Sequence, residues 1–442
     1  MSQLEKTLHP DEKIKAGKLG SNMVRLGIVI AVAFFTISFV LAMTSNASGG
    51  HDSKWARFMY AYVTGWAFIV TIPIGMLWLV LLHHLCRGRW ATVVRRVAEA
   101  MTGSFAVIWV AGLGFIIPLV AGKTDLYYWA YLDHAKSADP QLFGVLGKVN
   151  PTLLHKLGWL DPMFFAARYV VYGLIYIGVS HYFARKSREQ DDSGDPKIST
   201  TLRIASAPAM IIYAFTTCAL AFDILMSLSP KWYSTIYGVG FWGSACVAGF
   251  SMLALIVLWI QRTGRLVHSI NEEHYHDIGK WMFAFTFFWA YTAFSQFMLQ
   301  WYGNMPEETV WYKYRLFGEW QWVSIAILVG YWAFPFVFLM SRWTKRIVPS
   351  LVFFAVWQLL FHWLDLYWNV MPNFDWTVHN GLNEGPLVGD IATHHVGFAP
   401  IDVTVWIALI GVLFIGIGRN LKGNLIPVKD PTLGLSLAHE QL

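Results

Sequence analysis

Long apolar runs, separated by short polar segments, dominate the sequence. A helix needs roughly 20 apolar residues to cross the hydrocarbon core of a bilayer, and ten runs are of about that size. The pattern therefore predicts an all-α integral membrane protein with ten transmembrane helices. The predicted spans, numbered 1 to 10, are residues 24–43, 58–82, 101–121, 162–184, 204–226, 236–260, 278–302, 318–340, 347–370 and 403–417.

Lysine and arginine concentrate in every second connection between these spans. Of the 33 Lys and Arg residues, 23 fall on the side that holds both termini, nine fall on the other side, and Arg168 lies within span 4. Because cytoplasmic loops carry the excess of basic residues, we expect both termini in the cytoplasm of a bacterial inner membrane. The chain then divides into an N-terminal segment (1–22), a ten-helix membrane domain (23–420) and a C-terminal tail (421–442).

Composition supports the membrane prediction. Hydrophobic residues make up 56% of the 442 residues and charged residues 14%, with a mean hydropathy of +0.46. Soluble domains carry about 25% charged residues, so a soluble enzyme, a disordered protein and a nucleic-acid-binding protein are excluded. Cys86, Cys218 and Cys246 form no C-x-x-C pair, which argues against a cysteine-ligated iron–sulfur cluster, a c-type haem or a disulfide framework in this chain.

Several ionisable and polar residues fall inside the spans, most of them near the predicted outer side. Such groups are costly in lipid and usually face the bundle interior. One interpretation is an ion-pair network that only holds helices together. The other is a polar cavity that conducts protons or faces a quinone, since buried carboxylates and histidine can exchange protons near neutral pH. The candidates are Arg168, Tyr172 and Tyr176 in span 4, Asp223 in span 5, Glu319 in span 8, and Gln358, His362 and Asp365 in span 9.

The histidines predict no haem or metal site in this chain. A helix that binds two stacked haems carries two histidines about four turns apart, and no span has this spacing. A single haem between His181 and His83 or His84 stays open as an alternative. A metal bound by the inner group of His268, His274 and His276 is a second alternative, against a solvated loop.

Two long outer segments, residues 123–161 and 372–402, predict a docking surface for other subunits or a lid over the bundle. The second holds no Lys or Arg before residue 402 but several acidic and histidine residues, namely His379, Glu384, Asp390, His394, His395 and Asp402. A weak repeat also places Asp223 and Asp365 each seven residues before a proline. Spans 2–5 and 6–9 would then form two equivalent four-helix bundles, with spans 1 and 10 flanking them.

Four segments resemble a known membrane family. They read FDILMSLSPKWYSTIYG (222–238), HDIGKWMFAFT (276–286), FWAYTAFSQ (288–296) and WYGNMPEET (301–309). Together they are similar to the ActF-type subunit of bacterial alternative complex III, within the wider polysulfide reductase (NrfD-like) family. The resemblance implies two four-helix bundles with flanking spans and a role in a quinol:cytochrome c oxidoreductase.

The resemblance also implies a set of partners and cofactors. The partners are a paralogous ten-span subunit, a periplasmic iron–sulfur subunit and c-type haem subunits, besides membrane lipid and a quinone, menaquinone or ubiquinone. The haems and clusters would lie in those subunits and none in this chain. A secondary transporter and a passive membrane anchor are the alternatives, the first because Pro73 and Pro335 interrupt spans near their middles.

Overall fold

The computed structural model describes residues 7–44, 55–123, 126–127, 129–130, 155–374 and 396–440. Within these residues the chain is helical and has no strand. The helices are α1 (Leu19–Thr44), α2 (Ala56–Leu85), α3 (Thr92–Thr102), α4 (Phe105–Val120), α5 (Pro162–Ser193), α6 (Lys197–Ile224), α7 (Ile236–Arg262), α8 (Glu272–Gly303), α9 (Pro306–Leu316), α10 (Trp320–Ile327), α11 (Phe334–Met340), α12 (Arg342–Arg346), α13 (Val348–Val370), α14 (Pro400–Asn420) and α15 (Leu433–Leu437).

Ten helical segments of the described chain are long and apolar enough to cross a membrane, so the prediction of an all-α, ten-span membrane protein is confirmed. The chain is a multi-pass integral membrane protein. Helices α2 to α6 form one bundle, and α7, α8, α10–α11 and α13 form the second. Helix α14 packs on α2 and α4, and α1 packs on α14. These two flanking helices are spans 10 and 1.

Helices α2 and α7 join the two bundles at a glycine crossing. A Cβ atom at Gly75 would overlap the carbonyl oxygen of Ala245, and one at Gly249 would lie 3.1 Å from the carbonyl oxygen of Ile72. Small residues at such contacts let helix backbones pack closely. This close packing stabilises helix association within lipid, where the hydrophobic effect does not drive it. As a result, α2 is 94% buried along its most apolar stretch, although it is as hydrophobic as a lipid-facing helix.

The flanking helices α1 and α14 also meet through glycine. A Cβ atom at Gly27 would lie 2.6 Å from the carbonyl oxygen of Gly411, and one at Gly411 would lie 2.7 Å from that of Gly27. Two helical turns away, Gly20 of α1 and Gly418 of α14 make the same reciprocal contact. The other faces of α1 expose apolar side chains such as Val29 and Val32, as expected for a helix at the edge of the bundle.

Spans 3 and 8 are less regular than predicted. Span 3 is preceded by α3, which is buried over its whole length although it carries Arg95, Arg96 and Glu99. Span 8 contains a π-helical turn, Leu328–Ala333. Pro335 lacks the amide hydrogen that a regular helix would donate to the carbonyl of residue 331, which accounts for the irregular turn.

The two chain termini lie at the same end of the bundle. The amide of Ala16 donates to the carbonyl of Gly423, and the amide of Leu425 donates to that of Ile14. We call this the terminal end and the other the opposite end. Most of the two long segments that precede α5 and α14, including His379, Glu384, Asp390, His394 and His395, lies outside the described residues, so the predicted docking surface stays a prediction.

We expect Gly27→Val and Gly411→Val to destabilise the protein by about 1–3 kcal/mol each, because the added atoms meet backbone that cannot move aside. Thermal unfolding in mild detergent, followed by tryptophan fluorescence, measures the loss. Gly178→Val is the matched control, since a Cβ atom there meets nothing within 4 Å. An equal loss in all three variants would contradict the packing argument.

Candidate functional site

Arg168 and Asp223 form a buried ion pair between α5 and α6. The Arg168 Nε lies 2.7 Å from Asp223 Oδ2, and its Nη2 lies 3.1 Å from Oδ1. Tyr172 donates its hydroxyl hydrogen to Oδ2 at 2.7 Å, and the Trp159 indole donates to Oδ1 at 3.0 Å. Both carboxylate oxygens are therefore occupied twice. Arg168 and Tyr172 reach the same carboxylate because residues four apart share one helix face.

The cation of this pair is enclosed by aromatic rings. The Arg168 guanidinium carbon lies 4.2 Å from the centre of the Trp159 ring and 4.5 Å from that of Phe164, and Nη1 donates to the carbonyl of Trp159. Tyr176, one turn deeper, shares a hydrogen bond of 2.8 Å with Thr217. With both carboxylate oxygens and the guanidinium group bonded in this way, the arrangement is that of a structural ion pair between two helices.

His362 lies in a second polar cluster, between α13, α2 and the π-helical turn. Its Nε2 is 2.8 Å from the Thr71 hydroxyl, and its Nδ1 is 3.2 Å from the Tyr331 hydroxyl. The histidine side chain has no exposed surface. Tyr331 belongs to the π turn and is buried, and the carbonyl of Gly330 in the same turn accepts from the Trp357 indole at 2.7 Å.

Asp365 lies one turn beyond His362 and differs from Asp223 in its partners. It is 6% exposed, and no Lys, Arg or His of the described chain forms an ion pair with it. Its Oδ1 accepts from the Asn369 amide at 3.4 Å, and the Trp289 indole faces the carboxylate. A carboxylate buried without a cation is expensive in the charged form. Among the acids that the structure describes, Asp365 therefore has the surroundings that best suit the uptake and release of a proton.

The polar side chains of α13 form a continuous stripe that ends at the opposite end of the bundle. Asn373 donates to the carbonyl of Asn369, and Asn369 donates to that of Asp365. Gln358 continues the stripe inward and donates to the hydroxyl of Thr286. The sequence pattern identified Gln358, His362 and Asp365 but missed the two asparagines, which follow at the same i+4 spacing.

Arg315 of α9 sits at the outer end of this stripe. Its guanidinium donates to the carbonyls of Trp368 and Asn369, at the carboxyl end of α13, where the helix dipole favours a cation. It also stacks on the Trp311 ring at 3.7 Å. Burial lowers the pKa of Arg315 to about 9, so it remains a cation at neutral pH.

Glu319 does not join the buried clusters. It is exposed at the start of α10, and its carboxylate accepts from the amide of Val396 at 2.9 Å. The eight sequence candidates thus fall into three places. Arg168, Tyr172, Tyr176 and Asp223 line the α5–α6 interface, Gln358, His362 and Asp365 follow α13, and Glu319 lies at the surface.

No protein-family model and no curated protein sequence matches the chain. Among the described residues, no three His, Cys, Asp or Glu side chains are placed to hold a metal ion. The site must therefore be interpreted from its own geometry.

A third buried cluster, at the terminal end, escaped the sequence analysis. Arg95 Nη1 lies 2.8 Å from Asp430 Oδ2 and 2.9 Å from His83 Nε2, while its Nε lies 3.2 Å from Glu99. Arg96 contacts Glu99 at 3.3 Å and Asp191 at 3.0 Å. Sequence reasoning counted both arginines as interfacial loop residues; their i+4 and i+3 spacing to Glu99 was the available signal.

Several polar atoms of this cluster have no hydrogen-bond partner among the residues that the structure describes. Buried polar atoms normally bond to protein or to ordered water, so we expect water molecules here. The unpartnered atoms are His83 Nδ1, His84 Nε2, Arg95 Nη2, Ser187 Oγ, Gln190 Oε1 and Asp191 Oδ1.

Replacing one member of the Arg168–Asp223 pair should lower the stability of the protein more than replacing both members. Arg168→Gln leaves a buried, uncompensated carboxylate, for which we expect a loss of about 3–5 kcal/mol. The double variant Arg168→Met/Asp223→Leu should lose less. Thermal unfolding in detergent tests both, with Lys186→Gln as the control at a solvent-exposed ion pair. A double variant less stable than Arg168→Gln would be inconsistent with this reasoning.

Asp430 should contribute to stability at all physiological pH values. Burial alone raises its pKa, but the Arg95 charge and the hydrogen bonds from Thr432 outweigh burial and lower it to about 2. An acid whose folded pKa is depressed stabilises the fold above its unfolded pKa of about 3.9, and the contribution disappears as pH falls through the folded value.

We therefore expect Asp430→Asn to lower stability by about 2 kcal/mol, and by the same amount from about pH 5 to pH 8. Thermal unfolding across that range measures the difference from wild type, with Asp192→Asn, an exposed acid of the same end, as the control. A difference that shrinks between pH 7 and pH 5 would mean that Asp430 takes up its proton in that range.

Proposed function

We propose that this chain is a membrane subunit of a bacterial quinol-oxidising respiratory complex of the alternative complex III type, in which it carries protons and holds no redox cofactor. Two things support the proposal. The segments 222–238 and 276–309 resemble that family, and the two-bundle, ten-span fold agrees with what the resemblance implies. The first of these segments contains Asp223, which lies at the end of α6 and forms the ion pair with Arg168.

The observation that carries the proton role is the environment of Asp365. It is a buried acid without a cation among the described residues, and it sits between an asparagine stripe that leads outward and a histidine bonded on both ring nitrogens. Hydroxyl groups such as those of Thr71 and Tyr331 both donate and accept, so they can pass a proton to or from an imidazole. Asp365 would take up a proton from the opposite end of the bundle, and His362 would pass a proton further inward.

The same cluster does not fit a quinone ring. His362 and Gln358 have no exposed surface, and the Gln358 amide is bonded to the Thr286 hydroxyl, so in this proposal neither side chain is free to meet a quinone. We therefore assign quinol oxidation to the paralogous ten-span subunit. The proton released there, rather than the menaquinone or ubiquinone itself, is what this chain would handle.

The proposal places the terminal end in the cytoplasm of the bacterial inner membrane. The opposite end would then face the periplasm, where the iron–sulfur and c-type haem subunits would dock. The asymmetry of Lys and Arg along the sequence supports this orientation.

A secondary transporter is the second candidate, and the π-helical turn of span 8 is the observation that favours it. Transporters use broken helices to present free carbonyls to a substrate. Here the freed carbonyl of Gly330 is already bonded to Trp357, which weakens that candidate. A passive anchor needs no buried acid without a cation, which weakens that alternative as well.

Purification through a tag on this chain, in mild detergent from its native membrane, should bring haem and iron–sulfur subunits with it. In proteoliposomes of that complex, Asp365→Asn should slow quinol-driven proton release at least tenfold, because an amide cannot take up the proton, while the complex still assembles. Haem absorbance, iron–sulfur EPR and a pH-sensitive dye provide the readouts.

Glu319→Gln is the matched control, since it removes an exposed acid of the same end. A chain that purifies alone would refute membership of a redox complex. An assembled Asp365→Asn complex with wild-type proton release would refute the proton role and leave the chain as an anchor.

A further inference from the structure

A cleft of about 910 Å³ opens at the terminal end of the bundle, between α4, α5 and the end of α14. This volume lies in the range of small-molecule sites, yet none of the residues discussed for proton transfer lines it. The residues that line the cleft change from basic to apolar along its length. The part nearest the chain termini is basic, and the part toward the membrane centre is apolar.

Four permanent cations line the basic part, namely Arg185, Arg188, Arg419 and Lys422. Within the described chain, none of the four forms an ion pair with a carboxylate. The Arg188 Nε is buried and has no hydrogen-bond partner among the described residues, although its Nη2 donates to the carbonyl of Asn420 at 3.3 Å. The cleft therefore holds unneutralised positive charge and at least one unused buried donor.

Two acids also line the cleft and reduce this charge only in part. Glu189 is engaged by Lys186, with Nζ to Oε distances of 2.9 and 3.0 Å. Asp192 is exposed, and its main-chain carbonyl accepts from Lys429. The net charge of the lining stays positive, so the cleft complements an anion.

The apolar part of the cleft leads away from these charges along the outside of the bundle. Val107, Val110 and Ile177 line it, and Val110 is 68% exposed. Further along the same helices, Ile117 of α4 and Leu174 of α5 are 61% and 68% exposed. A ligand that fills both parts must combine an anionic head with a hydrocarbon chain.

We propose that this cleft binds an anionic glycerophospholipid, of the phosphatidylglycerol or cardiolipin class. Its phosphate contacts Arg185, Arg188 and Arg419, and one acyl chain follows Val110 and Ile177. Basic pockets between transmembrane helices at one membrane surface suit such headgroups, and guanidinium groups bind phosphate oxygens in pairs. The proposal is independent of the role in quinol oxidation.

Native mass spectrometry of the delipidated full chain, titrated with phosphatidylglycerol, phosphatidylcholine or sodium phosphate, tests the proposal. Phosphatidylglycerol should bind at least tenfold more tightly than phosphatidylcholine. The triple variant Arg185→Gln/Arg188→Gln/Arg419→Gln should weaken phosphatidylglycerol binding by roughly 100-fold. Arg25→Gln/Arg262→Gln, two exposed arginines of the terminal end outside the cleft, should leave it unchanged.

Other outcomes would overturn the proposal. Equal binding of both lipids would remove the charge selection, and displacement of the lipid by millimolar phosphate would make the ligand a free anion. An equal loss in the Arg25→Gln/Arg262→Gln control would show nonspecific attraction only. If the triple variant does not fold, the wild-type protein still decides the question, because phosphatidylglycerol binding must weaken from 0.05 to 0.5 M NaCl and a salt-independent affinity would contradict it.

Discussion

The close crossing of α2 and α7 determines where the polar groups of the core lie. Because Gly75 and Gly249 let the two backbones touch, α2 runs through the centre of the molecule instead of facing lipid. It presents Thr71 to His362 of the second bundle and His83 to Arg95 beside its own end. Sliding α2 by one helical turn would break both contacts at once. Two polar clusters at different depths thus depend on one apolar contact.

Asp223 and Asp365, the two acids that each precede a proline by seven residues, have different surroundings. Asp223 is bonded to Arg168, Tyr172 and Trp159, and its ion pair with Arg168 joins α5 to α6. Asp365 lies in the second bundle and forms no ion pair with an arginine of the described chain; Arg315 of α9 is bonded to the main-chain carbonyls of Trp368 and Asn369 instead. The two acids therefore differ in their partners, since one is bonded to a guanidinium group and the other to an amide.

Hydropathy predicted the ten helices because each membrane span must satisfy its own backbone hydrogen bonds in lipid. Each span therefore appears in the sequence as a run of about 20 apolar residues. Helical spacing likewise grouped Arg168 with Tyr172, and His362 with Asp365. Pairing between distant segments could not be predicted in this way. Asp430 meets Arg95 across 335 positions, and Thr71 meets His362 across 291. The π turn was also invisible, since Pro335 alone does not determine which carbonyl is freed or that Trp357 binds it.

The glycine contact between α1 and α14 has a consequence for biogenesis. Helix α1 leaves the ribosome more than 350 residues before α14, yet Gly27 and Gly411 must come into backbone contact. Until then α1 resides in the bilayer without its main partner, which its almost uncharged, apolar surface allows. Completion of this contact therefore waits for the synthesis of α14, and a chain arrested before α14 would leave α1 free to diffuse away or to be captured by another membrane protein.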